Sequence, residues 1–289
     1  MPVFARVDHL IIAVRELDAA ARAYGAMLGL APSWRGTHPT HGTENVIFGL
    51  SNCYLELLAL GPGQATSPVA LALEAYLARK PEGLFAIALG TDDVASAFAH
   101  LQHAGLTPTP ISDGDARGSD GTTRRWRSFL IPREVARGVN VLVIEHTSAA
   151  PAASQPLPGS TSSVTGVDHV VLFSDDLASG LALWRDTFAI GERWQREIPE
   201  RGTLNVGLKV GGVTIELVAP LGNSAGERGE RLWGAAYAVP DCDAAVARLR
   251  AAAVPISDAR PGLAPRTRIA TVKWADRIPT LLLQHLARS

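Results

Sequence analysis

The sequence predicts an α+β fold built from four β-α-β-β-β units, arranged as two tandem halves. Three observations lead there. The chain repeats itself: Val7-Asp8-His9 recurs as Val167-Asp168-His169. The same shift of 160 residues carries Trp34 onto Trp194, Asn45 onto Asn205 and Leu55-Glu56-Leu57 onto Ile215-Glu216-Leu217. Within the first half a strand–helix pattern occurs twice, as "VDHLIIAVRELDAAARAYGAMLGL" and "GLFAIALGTDDVASAFAHLQHAGL". Each helix is followed by short apolar runs with turn residues between them.

Taken in order, residues 7–14 read as a buried strand, and the helix after it should begin near Leu17. "NVIFGL" and "YLELLAL" read as the next strands. The strand "LFAIALG" then leads to a second helix, marked by Val94, Phe98 and Leu101 at helical spacing. "WRSFLI" and "VNVLVIEHT" close the first half as strands. In the second half the register shortens: residues 88–106 resemble 236–254, and 140–147 resemble 280–287. This predicts an N-terminal domain over 1–147 and a C-terminal domain over 164–289. The Ala/Ser/Pro-rich stretch between them, 148–163, reads as an extended linker.

Composition narrows the function classes. A chain of 289 residues suits two domains, and 47% hydrophobic with 19% charged residues is globular. A net charge of −1 gives no global field to recruit nucleic acid or an acidic membrane. The basic run at 117–127 reads as a solvated or substrate-facing strand. Cys53 and Cys242 fit no zinc spacing and read as two free thiols of a reducing compartment. With no leader-like N-terminus and no apolar run long enough to span a bilayer, the expectation is a cytoplasmic protein.

Paired β-α-β-β-β units with a histidine in the first strand and a glutamate in the fourth resemble the vicinal oxygen chelate superfamily, which includes glyoxalase I, methylmalonyl-CoA epimerase, extradiol dioxygenases and antibiotic-resistance proteins. "HGTEN…YLELLAL" is similar to its glyoxalase-like branch. The resemblance implies two glyoxalase-like domains, each a cupped mixed β-sheet flanked by helices. It also implies a divalent metal in the cup, whether Zn, Ni, Mn, Mg or Fe. Carried over, the ligands are His9, Glu56 and Glu145; the fifth-strand histidine of the family is Ala86 here. That loss disfavours ring cleavage, which needs two histidines and a carboxylate on iron. In the second half His169 and Glu216 match, Gly234 stands for the missing histidine and Gln284 for the last carboxylate, so that cup resembles a degenerate copy.

Strand alternation places His9, Glu56 and Glu145 on otherwise apolar faces, where an unpartnered carboxylate is costly. His41 and Glu145 are the candidates for moving a proton. Trp34, Asn45 and Arg125 are the candidate substrate contacts, an arginine being suited to grip a carboxylate. Two functions stay open. One is a metal-dependent lyase or isomerase acting on a small α-oxo or α-hydroxy substrate. The other is a metal-free protein that binds or sequesters a small molecule. A homodimer is compatible with either, since sheets in the family often extend between chains.

Overall fold

The computed structural model describes residues 3–80, 82–222, 229–274 and 277–287. The first half contains β1 (Arg6–Val14), α1 (Leu17–Leu28), β2 (Trp34–His38), β3 (Thr43–Gly49) and β4 (Tyr54–Leu60). After α2 (Pro68–Leu77) come β5 (Glu82–Gly90), α3 (Val94–His103), β6 (Ser112–Gly118), β7 (Thr123–Ile131) and β8 (Asn140–His146). The second half contains β9 (Gly166–Ser174), α4 (Leu177–Leu181, continued by a π turn over Ala182–Thr187), β10 (Gly191–Ile198), β11 (Thr203–Val210) and β12 (Val213–Pro220). It ends with β13 (Glu230–Ala238), α5 (Cys242–Ala251), β14 (Arg260–Pro261), β15 (Thr267–Val272) and β16 (Thr280–His285). These are the four β-α-β-β-β units expected from the repeat.

The helices form where apolar spacing and caps coincide. In α1, Leu17, Ala20, Tyr24, Met27 and Leu28 are buried along one stripe, and Gly29 ends the helix in the left-handed conformation at φ 73°. Asp93 and Asp241 cap α3 and α5 by accepting from the backbone N–H three residues on. Sequence patterning did not signal α2. Its cues are a Ser67 cap with proline at the first helical position, a short signal inside a run that otherwise reads as loop.

In the first half the strands close into a barrel, in the order β1-β4-β3-β2-β6-β7-β8-β5. The second half keeps the matching order, β10-β11-β12-β9-β13-β16-β15-β14, but stays an open sheet. Closure depends on β2 pairing with β6 at Gly36–Gly118 and Thr37–Arg117. A Cβ on Gly36 would lie 2.6 Å from the Arg117 carbonyl oxygen and 2.7 Å from Trp34 Nε1, so only glycine permits this approach. The repeat places Arg196 where Gly36 stands. The hairpin from β14 to β15 is also shorter than that from β6 to β7, and does not reach β10.

The face of each sheet that meets the helices belongs to one hydrophobic cluster shared by both halves. It runs from Leu10, Tyr24 and Phe129 to Trp184, Tyr237 and Leu249. Phe4 packs edge-on against Phe188 at 5.8 Å, and Tyr24 against Trp274 at 5.1 Å. Arg248 on α5 donates to the Ala26 and Met27 carbonyls that end α1. The 148–163 stretch is extended and docked on the first half, with Ala31 donating to the Gln155 carbonyl and Ser154 to the Gly49 carbonyl. Cys53 and Cys242 are free, and burial pushes their thiols up to about 12 and about 11. Among the described residues no helix is long and apolar enough to cross a membrane.

Adding bulk at Gly36 tests the closure directly. Gly36→Val should lower the unfolding free energy by about 1–3 kcal/mol through overpacking at the β2–β6 seam. Arg196→Ala, at the matching place on an open edge, should change it by less than about 0.5 kcal/mol. Urea titration of both variants compares them.

Candidate functional site

The barrel encloses a cavity of about 250 Å³, walled by Ile11, Leu58, Phe85, Leu142 and Ile144 and roofed by Pro68, Val69 and Ala72 of α2. Polar side chains gather at one end: His9, His38, His41, Tyr54, Glu56 and Arg124. The volume lies just below the usual range for ligand pockets, roughly 300 to 1,000 Å³.

A bulge at the start of β1 organises this cluster. The pairing of β1 with β5 skips from Val7 to His9, leaving Asp8 without a strand partner. Adjacent side chains that would otherwise point to opposite faces can then meet. Asp8 Oδ1 lies 2.8 Å from His9 Nδ1 and 3.0 Å from His146 Nε2 at the end of β8. Burial alone would raise the Asp8 carboxyl, but the hydrogen bonds from His146 and His9 hold it well below the usual carboxylate range. An ionised carboxylate only accepts, so the facing nitrogen of each imidazole carries its proton. That turns His9 Nε2 toward the cup, 3.4 Å from Glu56 Oε2, while the ring stacks on Tyr54 at 4.4 Å.

Glu56 is buried and held from behind. Asn45 Nδ2 donates to its Oε1 at 2.6 Å, and Trp34 Nε1 donates to Asn45 Oδ1 at 3.2 Å, which fixes the amide orientation. His38 Nε2 stands 3.7 Å from Glu56 Oε1, and its Nδ1 is 2.9 Å from Thr43 Oγ1. Burial lowers His38 against the pull of Glu56, so its imidazole is neutral near pH 7. Burial lowers His41 as well, against the attraction of Asp115 and Glu56. Arg124 lies over the Trp34 and Tyr54 rings, 5.5 and 5.4 Å from their centroids, and Nη2 donates to the Tyr54 hydroxyl at 3.3 Å.

The structure therefore brings His9, Glu56 and His41 to one cavity and places the other candidates elsewhere. Glu145 does not join them. Its carboxylate accepts from the Val94 N–H at the start of α3, at 3.1 Å, on the outer face of β8. Both faces of β8 are apolar, one lining the cup through Leu142 and Ile144 and the other packing through Val141 and Val143, so alternation could not tell them apart. Arg125 is exposed on the outer face of β7, and the cup-facing arginine is its neighbour Arg124. Trp34 and Asn45 touch the carboxylate chain and not the cavity. Ala86, opposite Ile11, lines the cup with no donor where the family carries a histidine. Sequence reasoning missed Asp8 as the partner of His9 and His146 as the second partner of Asp8; a strand-end histidine in both halves was the available signal.

The second half repeats the network on its open sheet. Asp168 skips its partner in the same way, and lies 2.7 Å from His169 Nδ1 and 2.6 Å from His285 Nε2. The two histidine bonds outweigh burial and hold Asp168 at about 2. Burial would lower His169, yet its bond to Asp168 and the charge of Glu216 raise it overall. Asn205 donates to Glu216 at 2.6 Å, as Asn45 does to Glu56. Gln284 accepts from Cys242 N–H at the start of α5, the counterpart of the Glu145 contact. What differs is support. Ile198 replaces His38, and Trp194 is exposed, so the buried Thr203 hydroxyl and Asn205 carbonyl have no partners. Each such orphan costs about 1–3 kcal/mol.

Comparison with known proteins agrees with this architecture. A family model described as "Glyoxalase-like domain" matches residues 7–166, and one described as "Glyoxalase/Bleomycin resistance protein/Dioxygenase superfamily" matches residues 168–271. The chain belongs to this glyoxalase-like, vicinal oxygen chelate superfamily, as two tandem domains. It is similar to an ethylmalonyl-CoA/methylmalonyl-CoA epimerase of Cereibacter sphaeroides, 34% identical over 102 residues, covering 35% of this chain and 71% of the relative. A triple mutant of 4-hydroxymandelate synthase from Streptomyces coelicolor shares the fold, with a TM-score of 0.68 at 16% identity over 100% of this chain and 95% of that one. Methylmalonyl-CoA epimerase from Mycobacterium tuberculosis aligns at 28% identity over 44% of this chain and 92% of its own, with a TM-score of 0.39.

The Asp8 hub has a testable pH signature. Its carboxyl is depressed in the folded state, so its stabilisation is full above the unfolded value of about 4 and is lost as pH falls from there toward the folded value. Asp8→Asn should cost about 1–3 kcal/mol at pH 7. Denaturant titration should show the gap between the two proteins narrowing below about pH 4.

Proposed function

We propose that the N-terminal cup binds a small oxygenated molecule and that Glu56 moves a proton on it, beside a carbonyl, in a lyase- or isomerase-type step. The observation that carries this reading is a buried carboxylate facing a partly open, mostly apolar cavity, with His9 Nε2 beside it at 3.4 Å. Glu56 would take a proton from the carbon next to a carbonyl, and the electron pair would move to the carbonyl oxygen. Delivery of a proton to the opposite face of that carbon inverts it, delivery to a neighbouring atom shifts the double bond, and loss of a β-substituent with its electron pair completes a lyase step. His41, kept neutral by partial burial on the same cavity wall, is placed to exchange the proton with solvent. The relative named as an ethylmalonyl-CoA/methylmalonyl-CoA epimerase supports this class, because inversion beside a carbonyl requires such a proton transfer.

The family's metal is a separate matter. Its four donor positions reduce here to His9 and Glu56, since Ala86 offers no donor and Glu145 is bound to the start of α3. Among the described residues no group of three or more histidine, cysteine or acidic side chains is set to hold an ion. The residues present do not fit a resident metal, and no step is derived through one. The same loss of donors favours the second reading, a cup that only binds and sequesters its ligand.

Incubation of α-oxo, α-hydroxy and acyl-thioester compounds in D2O, followed by proton NMR, separates the two. Wild-type protein should speed loss of the α-proton signal of a compound that it binds. Glu56→Gln should slow that exchange by about 10²–10⁴-fold. Compounds that raise the melting temperature without exchange would establish sequestration. Exchange that appears only after reloading with zinc, nickel, manganese, magnesium or iron would restore a metal-dependent mechanism.

A further inference from the structure

We propose that the ligand of the N-terminal cup is a monocarboxylate with an apolar body, and that Arg124 binds its carboxylate. This rests on reading the cup as a ligand site and adds the chemical class of what enters it. Arg124 lines the cavity and is only 7% exposed. Among the described residues no carboxylate lies within ion-pair distance of it. The other arginines held by acidic partners sit elsewhere, such as Arg137 with Glu230 and Arg277 with Glu82. Its Nε–H is buried without an acceptor, and its one hydrogen bond goes to a neutral phenol, Tyr54, at 3.3 Å.

A buried cation without a counter-ion is expensive, and a fold tolerates it where a partner arrives from outside. The Trp34 and Tyr54 rings steady the guanidinium by its faces. Among the described residues lining the cavity Arg124 is the one permanent cation, which suits a single planar carboxylate better than a phosphate dianion. Away from the polar end the walls are apolar, which suits an uncharged body on the ligand. Tyr54 stands two residues before Glu56 on the same face of β4, a separation of about 7 Å. Arg124, hydrogen-bonded to Tyr54, thus shares the polar end of the cavity with Glu56. The second half shows the converse: its hairpin is cut back, and at the position of Trp126, opposite the strand-end histidine, stands Thr267.

Isothermal titration with 4-methyl-2-oxopentanoate, its amide, its methyl ester and inorganic phosphate tests this. The acid should bind about 10- to 100-fold more tightly than the amide or ester, the range for hydrogen bonds to a charged group. Arg124→Gln should abolish that preference, Arg124→Lys should restore part of it, and Glu56→Gln should keep it. Equal binding of acid and amide by the wild-type protein overturns the proposal without any variant, so misfolding of Arg124→Gln cannot hide the answer. Phosphate binding that depends on Arg124 while the acid fails to bind overturns the carboxylate class. Proton exchange on neutral compounds with no preference for acids would sink this inference and leave the proton-transfer reading standing. Acid binding through Arg124 without exchange on any compound would do the reverse.

Discussion

One ionised carboxylate, Asp8, shared by two imidazoles, sets the rest of the N-terminal cup. It is buried at the bulge that begins β1, and it ties that strand to the end of β8 through His146. Because it can only accept, it decides which nitrogen of His9 faces inward. The inward nitrogen meets Glu56, Glu56 is gripped by Asn45, and Asn45 is oriented by Trp34. Each group is held by the one behind it. Glu56, the carboxylate next to the ligand space, is where the Asp8–His9 and Trp34–Asn45 supports meet.

The second half shows what that chain needs. Asp168, His169, His285, Glu216 and Asn205 repeat the links with nearly the same distances. The surrounding support is gone. No lid helix corresponding to α2 appears among the described residues, the sheet is open, and the Thr203 hydroxyl and Asn205 carbonyl beside the network are orphaned. Both copies keep the polar wiring, while the closed barrel, the longer β6–β7 hairpin and the α2 roof belong to the first half. His169 and Glu216 are correspondingly more exposed than His9 and Glu56.

The fold was legible because a 160-residue repeat and the alternation of strand and helix patterns are long-range, redundant signals. His9 and Glu56 were legible for the same reason, being polar residues repeated inside apolar strands. Glu145 and Arg125 misled, because β8 is apolar on both faces, β7 carries arginines on both, and a period of two gives no absolute face. A shift of one residue turns Arg125 into Arg124. The roles of Asp8 and His146 depend on a bulge and on a contact across 138 residues of chain, neither of which composition or spacing encodes. The lid helix α2 was missed because one capped turn in an apolar loop is a weak local signal.

The shared hydrophobic cluster carries a consequence for how such a chain can diverge. The surfaces of the two halves that would face solvent in a lone domain are spent on each other, through Phe4 against Phe188, Tyr24 against Trp274 and Arg248 on the end of α1. A gene segment coding for either half alone would yield a protein with an uncovered apolar flank. Each half therefore depends on the other for its cover. The second half can lose its own cup chemistry and still be kept, because it serves as the wall on which the first half is built.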